Sequence, residues 1–202
     1  MRRPVQWAGE SHTALRRDKV IGRWAERFGP PSLFLSDDLF KNLAAAIVSQ
    51  QLSGRAAETI FSRLEKVVHP IESKTVKKAG LERIRSAGLS GNKAKSLLAL
   101  ADAAENNLDL HSLRETPDED VIERLCEVWG VGRWTAEMFL IFSLGRPDVM
   151  SAGDLGLRKG LQLVYELEDL PEPVQCEGLF ARWSPWRSAA SWYLWEAVAP
   201  GR

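Results

Sequence analysis

An all-α fold is predicted for this 202-residue chain by three observations. Apolar residues recur at three- and four-residue steps in almost every segment. No segment shows the sustained alternation of a half-buried strand. Helix-capping residues stand before several apolar stretches, and proline or glycine punctuates their ends. The first helix is expected over about Ser11 to Phe28, stopping at "GPP", where proline cannot donate to the helical ladder. Ser36, Asp37 and Asp38 read as the cap and acidic first turn of "LFKNLAAAIVSQQ", whose run Leu43–Val48 reads as buried nearly all round. Ser53 can cap "GRAAETIFSRLEKVV", which ends before Pro70. Ser90 opens "GNKAKSLLALADAAEN", and Thr116 with Pro117 opens "DEDVIERLCEVW". "RWTAEMFLIFSL" follows a glycine turn, and "DLGLRKGLQLVY" follows "GRPDVMSAG". Pro171 and Pro185 mark the starts of the last two helices. There is no fixed-period repeat, no low-complexity stretch and no linker that would separate independent domains.

Composition bounds the function. At 45% hydrophobic and 27% charged residues the chain is globular, and it is long enough to bury a proper core. No apolar run approaches membrane-spanning length and no leader follows the basic N-terminus, which points to a cytoplasmic location. Two cysteines, Cys126 and Cys176, are too few for a disulfide scaffold, an iron–sulfur cluster or a four-cysteine zinc site. The three histidines, His12, His69 and His111, form no ligand-spaced pair, which argues against catalysis by a protein-ligated metal. Net charge is zero, so any affinity for nucleic acid must come from local segregation. Lys74 to Lys95 holds seven basic residues against one acid, and Asp102 to Glu123 holds eight acids against Arg114 alone. By themselves these blocks read as two solvated helical faces.

The stretch "LCEVWGVGRWTAEMFLIFSL" carries the most information. Helix, a two-glycine hairpin and helix again make a helix–hairpin–helix. Glycine lets the backbone turn sharply and approach a phosphodiester, and the N–H groups opening the second helix then point at the phosphate. A "GVG" alone is usually a plain helix connection. Followed by "RWTA", with an Asp and "GLRKG" about twenty residues downstream, it becomes specific.

Residues from about Leu43 to Trp195 resemble the helix–hairpin–helix (HhH-GPD) superfamily of DNA glycosylases, of the 3-methyladenine DNA glycosylase II type. The blocks "AIVSQQLSGRAA", "GLSGNKAKSLLALA", "LCEVWGVGRWTAEMFLIFSLGRPDVMSAGDLGLRKG" and "RWSPWRSAASWYLW" carry the resemblance, in the family's order and spacing. It implies a two-lobed all-α fold with the active-site cleft between the lobes. Lobe A is then expected at about 43–160 and lobe B at about 1–42 plus 161–202. The chain is too short at its start for the N-terminal β domain of some relatives. The implied activity is excision of alkylated purines from double-stranded DNA by a monomer, with no small-molecule cofactor.

The resemblance puts the catalytic carboxylate at Asp154. Cleaving an N-glycosidic bond builds positive charge on the sugar, which a carboxylate stabilises. Asp154 also reads as a helix N-cap, and the two roles are compatible. Just before it, Ser151 and Gly153 stand where relatives carry a proline and a second acid. Trp134, Trp195, Gln50 and Met138 are implied to line the base pocket, where an aromatic face attracts a cationic purine. The remaining tryptophans are expected mostly in the core or at the lobe interface. Gln51 is the implied wedge that fills the gap left by the flipped nucleotide; a capping or surface glutamine pair is the alternative. Backbone N–H groups of Gly130, Gly132 and Trp134 are implied to meet phosphates, with Ser90 and Lys93 as a second backbone anchor. Carbonyls near Cys126, Val128 and Val131 are implied to hold a monovalent cation, Na⁺ or K⁺.

Two rival readings compete with this one. Bifunctional glycosylase/lyases carry a nucleophilic lysine where Trp134 stands, and many add a four-cysteine cluster; this sequence has neither. A non-catalytic helix–hairpin–helix module needs the hairpin but not Asp154, "GLSGNKAKS" or "WSPWRS".

Overall fold

The computed structural model describes residues 3–52 and 54–199. Helices α1 (Ala8–Leu15), α2 (Gly22–Phe28), α3 (Leu39–Ser49), α4 (Gly54–Val67), α5 (Ser73–Arg85), α6 (Gly91–Asn106), α7 (Asp118–Cys126), α8 (Arg133–Phe139), α9 (Leu155–Val164), α10 (Pro173–Ala181) and α11 (Arg187–Val198) make up most of it. The sole sheet among the described residues is a two-residue antiparallel pair, β1 (Arg3–Pro4) with β2 (Phe34–Leu35). None of these helices is long and apolar enough to cross a membrane.

Two compact units form, one from Ser36–Ser143 and the other from residues up to Leu35 together with those from Leu144 onward. The divisions fall earlier than the expected 43 and 160. The reason is α9: it packs on α10 and α11, so it belongs with the chain termini and not with the hairpin.

In the central unit α3 packs against α4, α6 and α8, burying Leu43, Ala44, Ile47 and Val48 completely. Ala45 and Ala46 stay half-exposed, so α3 is two-sided and not buried all round as expected. Its cap is Asp38, which accepts the Lys41 N–H at 3.1 Å. Ser90 caps α6 as expected, accepting the Lys93 N–H at 3.3 Å. The expected cap at Ser53 lies outside the described residues. Helix α5 has no counterpart in the sequence reading. Gly80, at φ +70°, kinks it, leaving two pieces too short to display a clear period.

In the other unit the single helix expected from Ser11 is two. Asp18 Oδ1 accepts the N–H groups of Val20 and Ile21 at 2.9 and 3.0 Å, closing a turn between α1 and α2. Helices α10 and α11 begin two residues after the prolines expected to open them. Along α9, a Cβ on Gly160 would lie 2.6 Å from Leu194 Cβ, so the glycine permits close approach of α11.

Candidate functional site

Asp154 is the N-cap of α9, its Oδ1 accepting the Leu157 N–H at 2.7 Å. The same oxygen accepts the Trp195 Nε1–H from α11 at 3.0 Å. Two donors on one oxygen fix the side chain's orientation. The packing needs Gly156: a Cβ there would stand 3.0 Å from both Asp154 Oδ1 and Trp195 Cδ1. Thus "DLGLRKG" couples the carboxylate to α11 through two small residues a turn apart. The indole edge of Trp195, expected at the base pocket, holds the carboxylate, and the residue is only partly buried.

The loop leading to Asp154 is fastened to the start of the same helix. Arg187 donates from Nε to Asp148 Oδ1 at 2.7 Å and from Nη2 to Oδ2 at 3.0 Å. Ser184 donates to Asp148 Oδ2 at 2.8 Å, and Ser188 Oγ bridges the Arg146 carbonyl and the Val149 N–H at 2.7 and 3.0 Å. Partial burial opposes ionisation of Asp148, but the bonds from Arg187 and Ser184 outweigh it and hold the carboxyl below its ordinary range. "WSPWRS" therefore anchors "GRPDV". Sequence reasoning had singled out neither Asp148 nor Arg187, because a motif shows no long-range pair. In the atypical segment before Asp154, Ser151 is fully buried and its carbonyl accepts the Asp154 N–H at 3.0 Å.

The hairpin belongs to the central unit. Gly130 has φ +80°, and a Cβ there would overlap the Ser96 hydroxyl of α6. The chain itself, then, demands that glycine. Gly132 caps α8, and a Cβ on it would meet nothing within 4 Å, so its outer side is open to an approaching group. Trp134 follows, half-buried, and Thr135 and Met138 are buried. Arg133 is bound to the chain: Nη1 and Nη2 donate to Glu119 at 3.1 and 2.7 Å, and Nε donates to the buried Glu137 at 3.0 Å. The guanidinium holds the Glu119 carboxyl below its ordinary value. Cys126 ends α7, and the Val128 carbonyl accepts the Val131 N–H at 3.0 Å across the turn.

Gln50 and Gln51 follow α3. Gln50 Nε2 donates to the Gly130 carbonyl at 3.0 Å and to Thr135 Oγ1 at 2.9 Å, tying this loop to hairpin and α8 alike. Gln51 is exposed, with φ +55°. Lys93, expected at a phosphate, is turned inward: Nζ donates to the carbonyls of Val48 and Gln50 at 2.7 and 2.6 Å.

The basic block is partly consumed within the unit. Lys77 pairs with Asp102 and Glu105 at 2.9 and 3.0 Å, so the two charge blocks meet. Arg85 pairs with Glu82, and Arg83 donates to the Val67 carbonyl. Of the other tryptophans, Trp7 and Trp183 are buried and Trp24 stacks on Phe28, but Trp129 is half exposed at 52%.

Residues 44–185 match the family described as HhH-GPD superfamily base excision DNA repair protein. The chain is 36% identical to DNA-3-methyladenine glycosylase 1 of Schizosaccharomyces pombe over 95% of its own length and 85% of that protein's. A solved structure of the 3-methyladenine DNA glycosylase from that yeast, in complex with abasic DNA, superposes with a TM-score of 0.85 at 31% identity, covering 93% of this chain and 95% of that one. The DNA-3-methyladenine glycosidase of Bacillus halodurans gives 0.78 at 32% identity, covering 98% and 92%. With this fold, this hairpin and a match over most of its length, the chain belongs to the HhH-GPD superfamily of base excision DNA repair proteins.

Proposed function

We propose that the chain is a monofunctional DNA glycosylase that flips alkylated purines out of duplex DNA and hydrolyses their N-glycosidic bond, with 3-methyladenine preferred. The observation that carries this is the Asp154 carboxylate, held by the Leu157 N–H and the Trp195 indole at the start of α9. As the bond to the base lengthens, its electron pair leaves with the base and positive charge grows on the sugar. A fixed carboxylate stabilises that charge and orients the incoming water, which gives its hydroxyl to C1′ and its proton to the carboxylate and then to solvent. N3- or N7-alkylation makes the base cationic and a good leaving group, so no general acid is needed. The matched motifs contain no histidine, and two of their other carboxylates, Glu137 and Asp148, are paired with Arg133 and Arg187. The indole of Trp134 offers a cation–π preference of about 0.5–2 kcal/mol for the charged base, a modest gap that lets some neutral lesions through slowly.

The opening turn of α8 suits a phosphate, because the first N–H groups of a helix lack intrahelical acceptors and the Gly132 side is open. Backbone carbonyls at the end of α7 and in the hairpin are oxygen donors, the chemistry a Na⁺ or K⁺ accepts. Cys126, Val128 and Val131 are the residues that would hold the ion, which would reinforce the positive field met by a phosphate. The similarity to a glycosylase solved with abasic DNA supports the reading.

The test is single-turnover release from duplexes carrying 3-methyladenine, 7-methylguanine, hypoxanthine or uracil. The methylated purines should leave fastest. Faster release of uracil or hypoxanthine than of either would contradict the assignment to alkylation damage.

A further inference from the structure

Gln51 occupies the left-handed backbone region, with φ +55°, at the exposed tip of the loop after α3. A residue with a side chain stays there when its surroundings hold it there. Two sets of bonds do so. The Lys93 ammonium reaches from α6 to the carbonyls of Val48 and Gln50, at 2.7 and 2.6 Å. Carbonyls at a helix end lack intrahelical partners and face the negative pole of the dipole, so a cation suits them. The Gln50 side chain pins the other flank to Gly130 and Thr135. Partial burial pulls the Lys93 amine below its ordinary value, as befits a group turned away from solvent. Beside the loop lies a cavity of about 270 Å³, walled by Leu52, Ile60, Leu89 and Lys93 among others. Gln50, Gln51 and Leu52 of the loop form part of its wall.

We propose that Lys93 is a positioning residue for base flipping: its ammonium locks the end of α3 so that Gln51 is presented outward in its left-handed conformation. This rests on the reading of Gln51 as the wedge. It makes Lys93 a part of the flipping device in place of a phosphate contact, and the two roles differ in what salt does.

The experiment uses the full chain and a duplex with 2-aminopurine beside a tetrahydrofuran abasic mimic. Its fluorescence reports insertion into the gap, and titration at several salt concentrations gives the phosphate contacts. Lys93→Met should lower the inserted population about tenfold, the loss expected for a charge-assisted bond. The slope of log K against log salt should stay unchanged, and Lys93→Arg, which keeps a cationic donor, should restore insertion. A slope flattened by about 0.9, the value for one lost phosphate contact, with insertion intact would overturn the proposal. Gln51→Ala separates the two layers. Impaired insertion there, with Lys93→Met silent, sinks the positioning role alone; a silent Gln51→Ala sinks the wedge reading and the proposal with it. Should Lys93→Met fail to fold, the parent protein still decides. Its Lys93 ammonium resonance should be visible without DNA and unmoved by the abasic duplex, whereas a signal that appears only with DNA contradicts the proposal.

Discussion

The indole N–H of Trp195 donates to Asp154 Oδ1 at 3.0 Å, joining the last helix to the carboxylate that opens α9. A residue expected to stack on a base thereby acts as a hydrogen-bond donor. Trp195→Phe keeps a flat aromatic ring and removes the donor. Single-turnover excision of 3-methyladenine should fall about tenfold or more, while affinity for abasic DNA stays near the parent's. Equal losses in both would assign Trp195 to binding alone.

Two glycines of α9 separate stability from activity. Gly160→Ala forces a Cβ against Leu194 Cβ, 2.6 Å away, and the Leu194 carbonyl, 3.0 Å away. It should destabilise by about 1–3 kcal/mol in urea unfolding. Gly156→Ala instead crowds Asp154 and Trp195 at 3.0 Å. Its excision rate should fall by a larger factor than its stability accounts for.

Asp148 predicts a pH signature. Its folded carboxyl titrates below the ordinary aspartate value of about 3.9, so its contribution is complete above that pH. It disappears as pH falls through the folded value. Asp148→Asn should therefore lower stability by about 1–2 kcal/mol near neutrality. The gap between variant and parent should close as pH drops below about 4. A gap that does not change with pH would show that packing, and not the charge pair with Arg187, holds this loop.

The product should be an intact abasic site. Strand cleavage by a lyase needs an amine that forms a Schiff base, and position 134 is a tryptophan. Borohydride should trap no covalent enzyme–DNA adduct, and strands should break only after alkali. A trapped adduct would identify an amine that this account leaves out.

Much of this was legible in the residues. The hairpin, Asp154 and the order of the blocks stand out because glycine, aspartate and tryptophan at fixed spacing leave few local alternatives. Partners distant in the chain were not legible. Lys93 looks like a surface cation until its reach of more than forty residues back to Val48 is known. Lys77 and Asp102 read as opposed solvated faces, yet α5 and α6 pack together and pair them. The turn at Asp18 was missed because periodicity continues through a break when both halves bury the same kind of residue. Gly130 reads as a point of phosphate approach, and its contact with Ser96 adds a second need for glycine that spacing does not show.

The central claim is that the Asp154 carboxylate drives departure of the base and is not needed to hold DNA. Asp154→Asn keeps the side-chain shape and an oxygen for the Leu157 N–H, and removes the charge. Measured side by side, single-turnover release of 3-methyladenine and affinity for a tetrahydrofuran-containing duplex decide it. Release should fall to background with affinity within a few-fold of the parent's, since one electrostatic stabiliser is worth about 10²–10³ in rate. Release within a few-fold of the parent's would remove Asp154 from the mechanism and contradict the account.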